Sequence, residues 1–131
     1  MSWHDAHVDL TEKLQIKPGQ SLVILEPPPG VTLPAGTAAL PAGTAGGHPE
    51  TASAVIGFAV LRQDLDRLGP VISAARADRL AWIGYPKGGK LGTDLNRDLL
   101  VAALSTEGIQ PVRQVSIDDT WSALRFRPAT R

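Results

Sequence analysis

Two lysines flank a glycine pair in the stretch Trp82-Ile83-Gly84-Tyr85-Pro86-Lys87-Gly88-Gly89-Lys90-Leu91-Gly92, and that combination could hold an anion. Glycines let backbone amides turn inward, and the ammonium groups add charge where the chain enters a helix. Gly84 to Lys90 also fits Gly-x-x-x-x-Gly-Lys, the spacing of a nucleotide-binding P-loop. The fit fails at two places. Leu91 stands where the motif needs a serine or threonine for magnesium, and Pro86 removes an amide donor. What is left is a simpler anion site made by Lys87, Gly88, Gly89 and Lys90, or a glycine-permitted turn with solvated lysines.

Other charged residues fall where strands should end. Glu26 follows the first apolar run, Lys87 the third, and Asp118 and Asp119 the fourth, with Trp121 opening the returning strand. Parallel strands would bring them together outside one carboxyl edge, where open α/β sheets hold ligands. Arg97, in the first turn of the next helix, could reach the same edge. The functional reading is a mixed-charge ligand pocket with an aromatic wall. The competing reading has Asp118 or Asp119 closing a hairpin turn, with Lys87 or Arg97 paired to a nearby acid.

No catalytic set is complete. His4, His7 and His48 have no carboxylate partner in pattern, so no metal is expected. No serine sits in a nucleophile elbow, and the absence of cysteine removes thiolate chemistry. The 13 basic and 13 acidic side chains cancel, which argues against nucleic acid as a partner even though Arg113, Arg125, Arg127 and Arg131 make the C-terminal strands basic. No apolar run reaches a membrane-spanning length and no secretory signal is visible, so a cytoplasmic protein is expected.

The elements that must position these residues follow from pattern. Ser2 can cap a helix over 3–14. Ser21 to Leu25 and Ala54 to Val60 read as strands covered on both faces. Between them, 27–49 holds six of the eleven prolines, five of the thirteen glycines and no charge, with Leu-Pro-Ala-Gly-Thr-Ala at 33–38 and again at 40–45. That composition predicts a loop with one short extended piece near Ala38–Leu40. Leu61, Leu65, Leu68, Ile72 and Ala75 recur at helical spacing, with Pro70 restarting the helix in its first turn. Leu80 to Gly84 is the third strand. Thr93 or Asp94 would cap a helix to about Glu107, ended by Gly108. Pro111 to Ile117 and Trp121 to Phe126 form a closing hairpin.

This order predicts one α/β domain over 1–131: a mostly parallel sheet of about five strands, a C-terminal antiparallel hairpin and flanking helices. From residue 21 onward it resembles a pared-down class I methyltransferase, a Rossmann-like fold with a terminal hairpin. The resemblance implies a glycine-rich cofactor loop after the first strand and a ribose-binding acid after the next. Here Glu26-Pro27-Pro28-Pro29-Gly30 fills the loop position, and the neutral 27–49 segment offers no such acid. Topology is carried over, and S-adenosylmethionine (SAM) binding is not. The chain is also similar to an uncharacterised bacterial family of small Rossmann-like proteins, through Tyr85-Pro86-Lys87-Gly88, Asp94-Leu95-Asn96-Arg97-Asp98, and Asp118-Asp119-Thr120-Trp121-Ser122-Ala123-Leu124-Arg125-Phe126. That resemblance implies a fold without an activity.

The sequence therefore predicts a non-catalytic Rossmann-like module that needs no cofactor and binds a partner protein or a regulatory ligand. The alternative is a binding protein or enzyme for a phosphorylated or carboxylated metabolite at Lys87 and Lys90. A remote third reading is SAM-dependent transfer. With outer strands missing, the first strand lies near an edge that either the 27–49 loop or a second copy, as a homodimer, must cover.

Overall fold

A computed structural model describes residues 14–15, 22–25, 38–40 and 52–129. Six strands form one sheet: β1 (Leu22–Leu25), β2 (Ala38–Leu40), β3 (Ala54–Phe58), β4 (Leu80–Pro86), β5 (Ile109–Ser116) and β6 (Trp121–Pro128), in spatial order β2-β1-β3-β4-β6-β5. The first four run parallel, and β6 turns antiparallel to both β4 and β5. Paired residues divide evenly between parallel and antiparallel ladders, so the sheet is mixed, a correction to the mostly parallel expectation. Its cause is strand length. β1, β2 and β3 are short, whereas β5 and β6 run eight residues each.

β2 is the short extended piece expected near 38–40, and it pairs parallel to β1 through Val23–Ala38, Ile24–Ala39 and Leu25–Leu40. The 27–49 segment thus supplies the strand that covers β1, and no second copy is needed for that. The expected N-terminal helix over 3–14 lies outside the described residues apart from Leu14.

The covering helices follow from the sequence with small shifts. A 3-10 helix at Arg62–Arg67 leads into α1 (Gly69–Arg76), and Pro70 occupies its first turn, where a missing amide costs nothing. α2 (Arg97–Ser105) begins later than expected. Its cap is Asn96, whose side chain accepts from the Leu99 amide at 2.8 Å, rather than Thr93 or Asp94. Gly108, at φ 82, follows the helix and carries the chain into β5.

The sheet separates two cores. On one face α1 and α2 bury Val71, Ala74, Ala75, Leu100 and Leu104 against Val55, Ile83, Leu124 and Phe126. The other face is aromatic, with Phe58, Trp82 and Trp121 packed beside Ile24, Ile56 and Leu14. Two glycines permit close packing. A Cβ on Gly57 would stand 2.6 Å from Leu68 Cδ2, and one on Gly84 would stand 2.6 Å from Phe58 Cδ2. Among the described residues no helix is long and apolar enough to cross a membrane.

Candidate functional site

The four parallel strands define the edge that matters. From β1 the chain moves outward to β2, then crosses back to β3 on the other side of β1. That reversal makes β1 and β3 the topological switch point, and the crevice beyond their carboxyl ends is where open α/β sheets take ligands. The described residues there are Leu25 at the end of β1 and Phe58 to Leu61 at the end of β3.

The loop leaving β3 is held rigidly. The Asp64 carboxylate accepts from the Val60 and Leu61 amides at 3.0 and 2.9 Å. Asp94 accepts from the Arg62 amide at 2.8 Å, and the Thr93 hydroxyl donates to the Val60 carbonyl. Residues 93 and 94, expected to cap α2, instead tie the β4 exit to the β3 exit. Thr93 also accepts from the Leu95 amide at 2.9 Å, which closes a local turn before Asn96 starts the helix.

A cavity of about 510 Å³ opens beside this staple, between the 3-10 helix, α1 and α2. Leu61, Arg62, Leu65, Asp94 and Leu104 help to line it. Its volume is that of a small-molecule cleft. It opens on the helical side of the sheet and shares Leu61 with the β3 exit.

The structure brings part of the expected site together, with Lys87 against the turn that holds Asp118 and Asp119. The Lys87 amide donates to the Thr120 carbonyl at 2.7 Å, and its ammonium reaches the Ser116 hydroxyl at 2.6 Å. Lys87 is thus drawn toward the β5–β6 turn. Gly88 and Gly89, at φ 45 and 78, turn the chain away from β4, and Lys90 is exposed. A three-residue 3-10 turn at Lys90–Gly92 contains Leu91 in a left-handed conformation, φ 59, with its side chain exposed. The expected arrangement of both lysines at a helix N-terminus is therefore corrected, because α2 starts only at Arg97.

Asp118 closes the hairpin by accepting from the Thr120 and Trp121 amides, both at 2.8 Å, which is the structural reading of that residue. Asp119 is exposed. Trp121 is 4% exposed and meets Phe58 edge to face, ring centroids 5.2 Å apart, so it is a core residue rather than the wall of an open pocket. Arg97 lies 3.8 Å from Asp98, a local surface pair, and its charge also bears on Tyr85. Burial pushes the Tyr85 hydroxyl above its ordinary value, while Arg97 pulls it down. Glu26 and the three histidines lie outside the described residues. Among the described residues no group of three acids, histidines or cysteines could hold a metal.

Sequence reasoning missed Asp64 and Asp94 as the residues that fix the β3 exit. Asp64 carried a faint signal, an acid in the first turn after an extended residue. Asp94 carried none, since its partner lies 32 residues away.

No protein-family model matches this chain, and no curated protein does. Solved structures match at low identity. The LepI complex with SAM is 18% identical with a TM-score of 0.47, covering 95% of this chain and 40% of that one. A cysteine-to-alanine variant of LepI, in complex with S-adenosylhomocysteine (SAH) and a substrate analogue, is 18% identical with a TM-score of 0.49, over 96% and 40% of the two chains. A structure described as a pericyclic reaction enzyme is 16% identical with a TM-score of 0.48, over 95% and 40%. At these identities the likeness is one of fold. This chain spans about 40% of the length of each of those chains. The expectation of a non-catalytic module is withdrawn, and no activity passes to this chain from structures this distant.

Proposed function

We propose that this chain is the ligand-binding Rossmann-like part of an enzyme, and that it holds a nucleoside-bearing small molecule at the carboxyl ends of β1 and β3. The single observation that carries the reading is the strand order, which places the topological switch between those two strands. The bonds from Asp64, Asp94 and Thr93 support it, since a site held by fixed backbone needs little ordering when a ligand arrives. SAM and SAH are the first probes, because LepI structures were obtained with each. The Pro27-Pro28-Pro29 run offers no amide donors to a ligand phosphate, which favours a ligand without a pyrophosphate.

Calorimetric titration with SAM, SAH and adenosine tests this, with amide chemical shifts locating the contact. Saturable binding with shifts centred on Leu25 and Phe58–Leu61 is the expected result. Shifts centred on Lys87–Gly92 would move the site to the glycine-lysine turn, and shifts at Leu65, Ile72 and Leu104 would move it to the cleft between the helices. No binding by any of the three nucleosides would overturn the ligand class.

A further inference from the structure

One cross-strand row runs through the whole sheet on its aromatic face. Ile24 pairs with Ile56, Ile56 with Trp82, Trp82 with Arg125 and Arg125 with Arg113. The row is fully buried at Ile24, Ile56 and Trp82 and ends in two directly opposed arginines. Like charges placed opposite each other on neighbouring strands are destabilising. Arg127, two residues along the same face, adds a third cation.

These three guanidinium groups are not equally compensated. Asp78 binds Arg127 through two parallel bonds, Oδ1 to Nε at 2.8 Å and Oδ2 to Nη2 at 3.0 Å. Among the described residues Arg125 has a neutral partner alone, the Gln15 side-chain carbonyl at 2.8 Å from Nη1. Its Nε–H is shielded from water and has no hydrogen-bond partner among the described residues. Arg113 is exposed, and among the described residues no acid pairs with it. Burial, together with the charges of Arg127 and Arg113, pushes the Arg125 guanidinium below its ordinary value, while Asp78 pulls it up.

A buried donor left unmade costs stability, and a like-charge pair adds to that cost. Both costs vanish if an oxyanion sits between the two forks. Guanidinium groups are built for that, since each offers paired N–H donors to a phosphate or carboxylate. We propose that Arg113 and Arg125 form a binding site for a phosphoryl group, with the orphaned Arg125 Nε–H as one of its donors. Arg125 on β6 and Arg113 on β5 stand two and three strands across the sheet from β3, roughly 10 and 14 Å at the usual strand spacing. The site is therefore separate from the nucleoside site and does not depend on it. The phosphoryl group could belong to a free phosphorylated metabolite or to a nucleic-acid backbone.

The test follows the Arg Nε–H resonances of the full chain as inorganic pyrophosphate is added. Arg125 Nε–H should shift saturably, and Arg113→Gln should weaken pyrophosphate binding about tenfold, as expected for loss of one charge-assisted fork. The same substitution should leave the melting temperature of the free protein unchanged or raise it, because it removes a repulsion. Arg125→Lys, which retains charge but not the fork, should also weaken binding. A short single-stranded oligonucleotide that binds more tightly than pyrophosphate, with steep salt dependence, would identify a nucleic-acid backbone as the source. Equal or weaker binding would identify a free phosphorylated ligand. An Arg125 resonance that pyrophosphate does not move, or an Arg113→Gln variant with unchanged affinity, would overturn the proposal.

Discussion

The two halves of this sheet obey different rules. In the parallel half, β1 and β3 have strands on both sides and cover on both faces, and every residue of each is buried. In the hairpin half, β5 forms the sheet edge, and most of its residues are partly or fully exposed. The first half can hold a ligand only at its ends, beyond the last strand residues. The second half carries charge along its faces, and Arg113, Arg125 and Arg127 stand there. A single row of paired residues crosses from one regime to the other, and Trp82 is the last buried member before the arginines.

The largest expected effect breaks this contrast most directly. Trp82 is fully buried, and its indole donates to the Leu14 carbonyl at 3.0 Å. Trp82→Ala should cost ~3–5 kcal/mol through the lost ring and the cavity left behind. Val112, 46% exposed on the edge strand, should cost under ~0.5 kcal/mol when changed to Ala. Urea unfolding of both variants measures the gap. Similar losses would mean that the hairpin is as tightly packed as the parallel half.

The next effect sharpens the comparison at the backbone. A Cβ on Gly84 would stand 2.6 and 2.7 Å from the Phe58 ring, so Gly84→Ala should cost ~1–3 kcal/mol by overpacking. Trimming the ring tests the cause. In a Phe58→Leu background the penalty of Gly84→Ala should shrink, and a double-mutant cycle reads the coupling. An unchanged penalty would place the strain in the strand itself rather than in the aromatic contact.

A smaller effect concerns the ligand edge. Asp64→Ala removes the acceptor for two amides and should cost ~1–2 kcal/mol, as caps of this kind do. Amide exchange at Val60 and Leu61 should quicken with it, while exchange within β5 and β6 stays unchanged.

Much of the fold could be read from the chain because burial on both faces leaves apolar runs. Leu22–Leu25, Ala54–Phe58 and the Leu80–Gly84 part of β4 all announce themselves in that way. Pro70 marked the restart of α1, and the neutral 27–49 segment yielded its short strand where an extended piece was expected. The site was harder to read because its bonds are tertiary. Thr93 and Asp94 have the chemistry of helix caps, yet their partners lie 33 and 32 residues away, and that contact leaves the cap to Asn96. Lys87 was placed at an anion turn, but Ser116, 29 residues on, takes its ammonium. At Trp121 the sequence suggests a pocket wall, because nothing local shows that Phe58 packs across it. The balance of parallel and antiparallel pairing depended on how far β5 and β6 extend, and strand ends carry the weakest local signal.

The smallest effect lies at the amino end of the parallel strands, where Asp78 meets the arginines. The bond from Arg127 holds the Asp78 carboxyl below its ordinary value; desolvation opposes this, and the charges of Arg127 and Arg125 reinforce the lowering. A carboxylate depressed in the folded state stabilises the fold above its ordinary value, and the contribution is lost as pH falls through the folded value. Both partners are solvent-exposed, so the change in unfolding should be slight while the titration itself is clear. A carboxyl-detected titration should place the Asp78 midpoint below that of an unperturbed aspartate, and Arg127→Gln should return it toward normal. A midpoint unmoved by Arg127→Gln would assign the depression to Arg125 instead. Asp78 would then already be serving as counter-charge to the opposed pair, and the case for an incoming phosphoryl group between Arg113 and Arg125 would weaken accordingly.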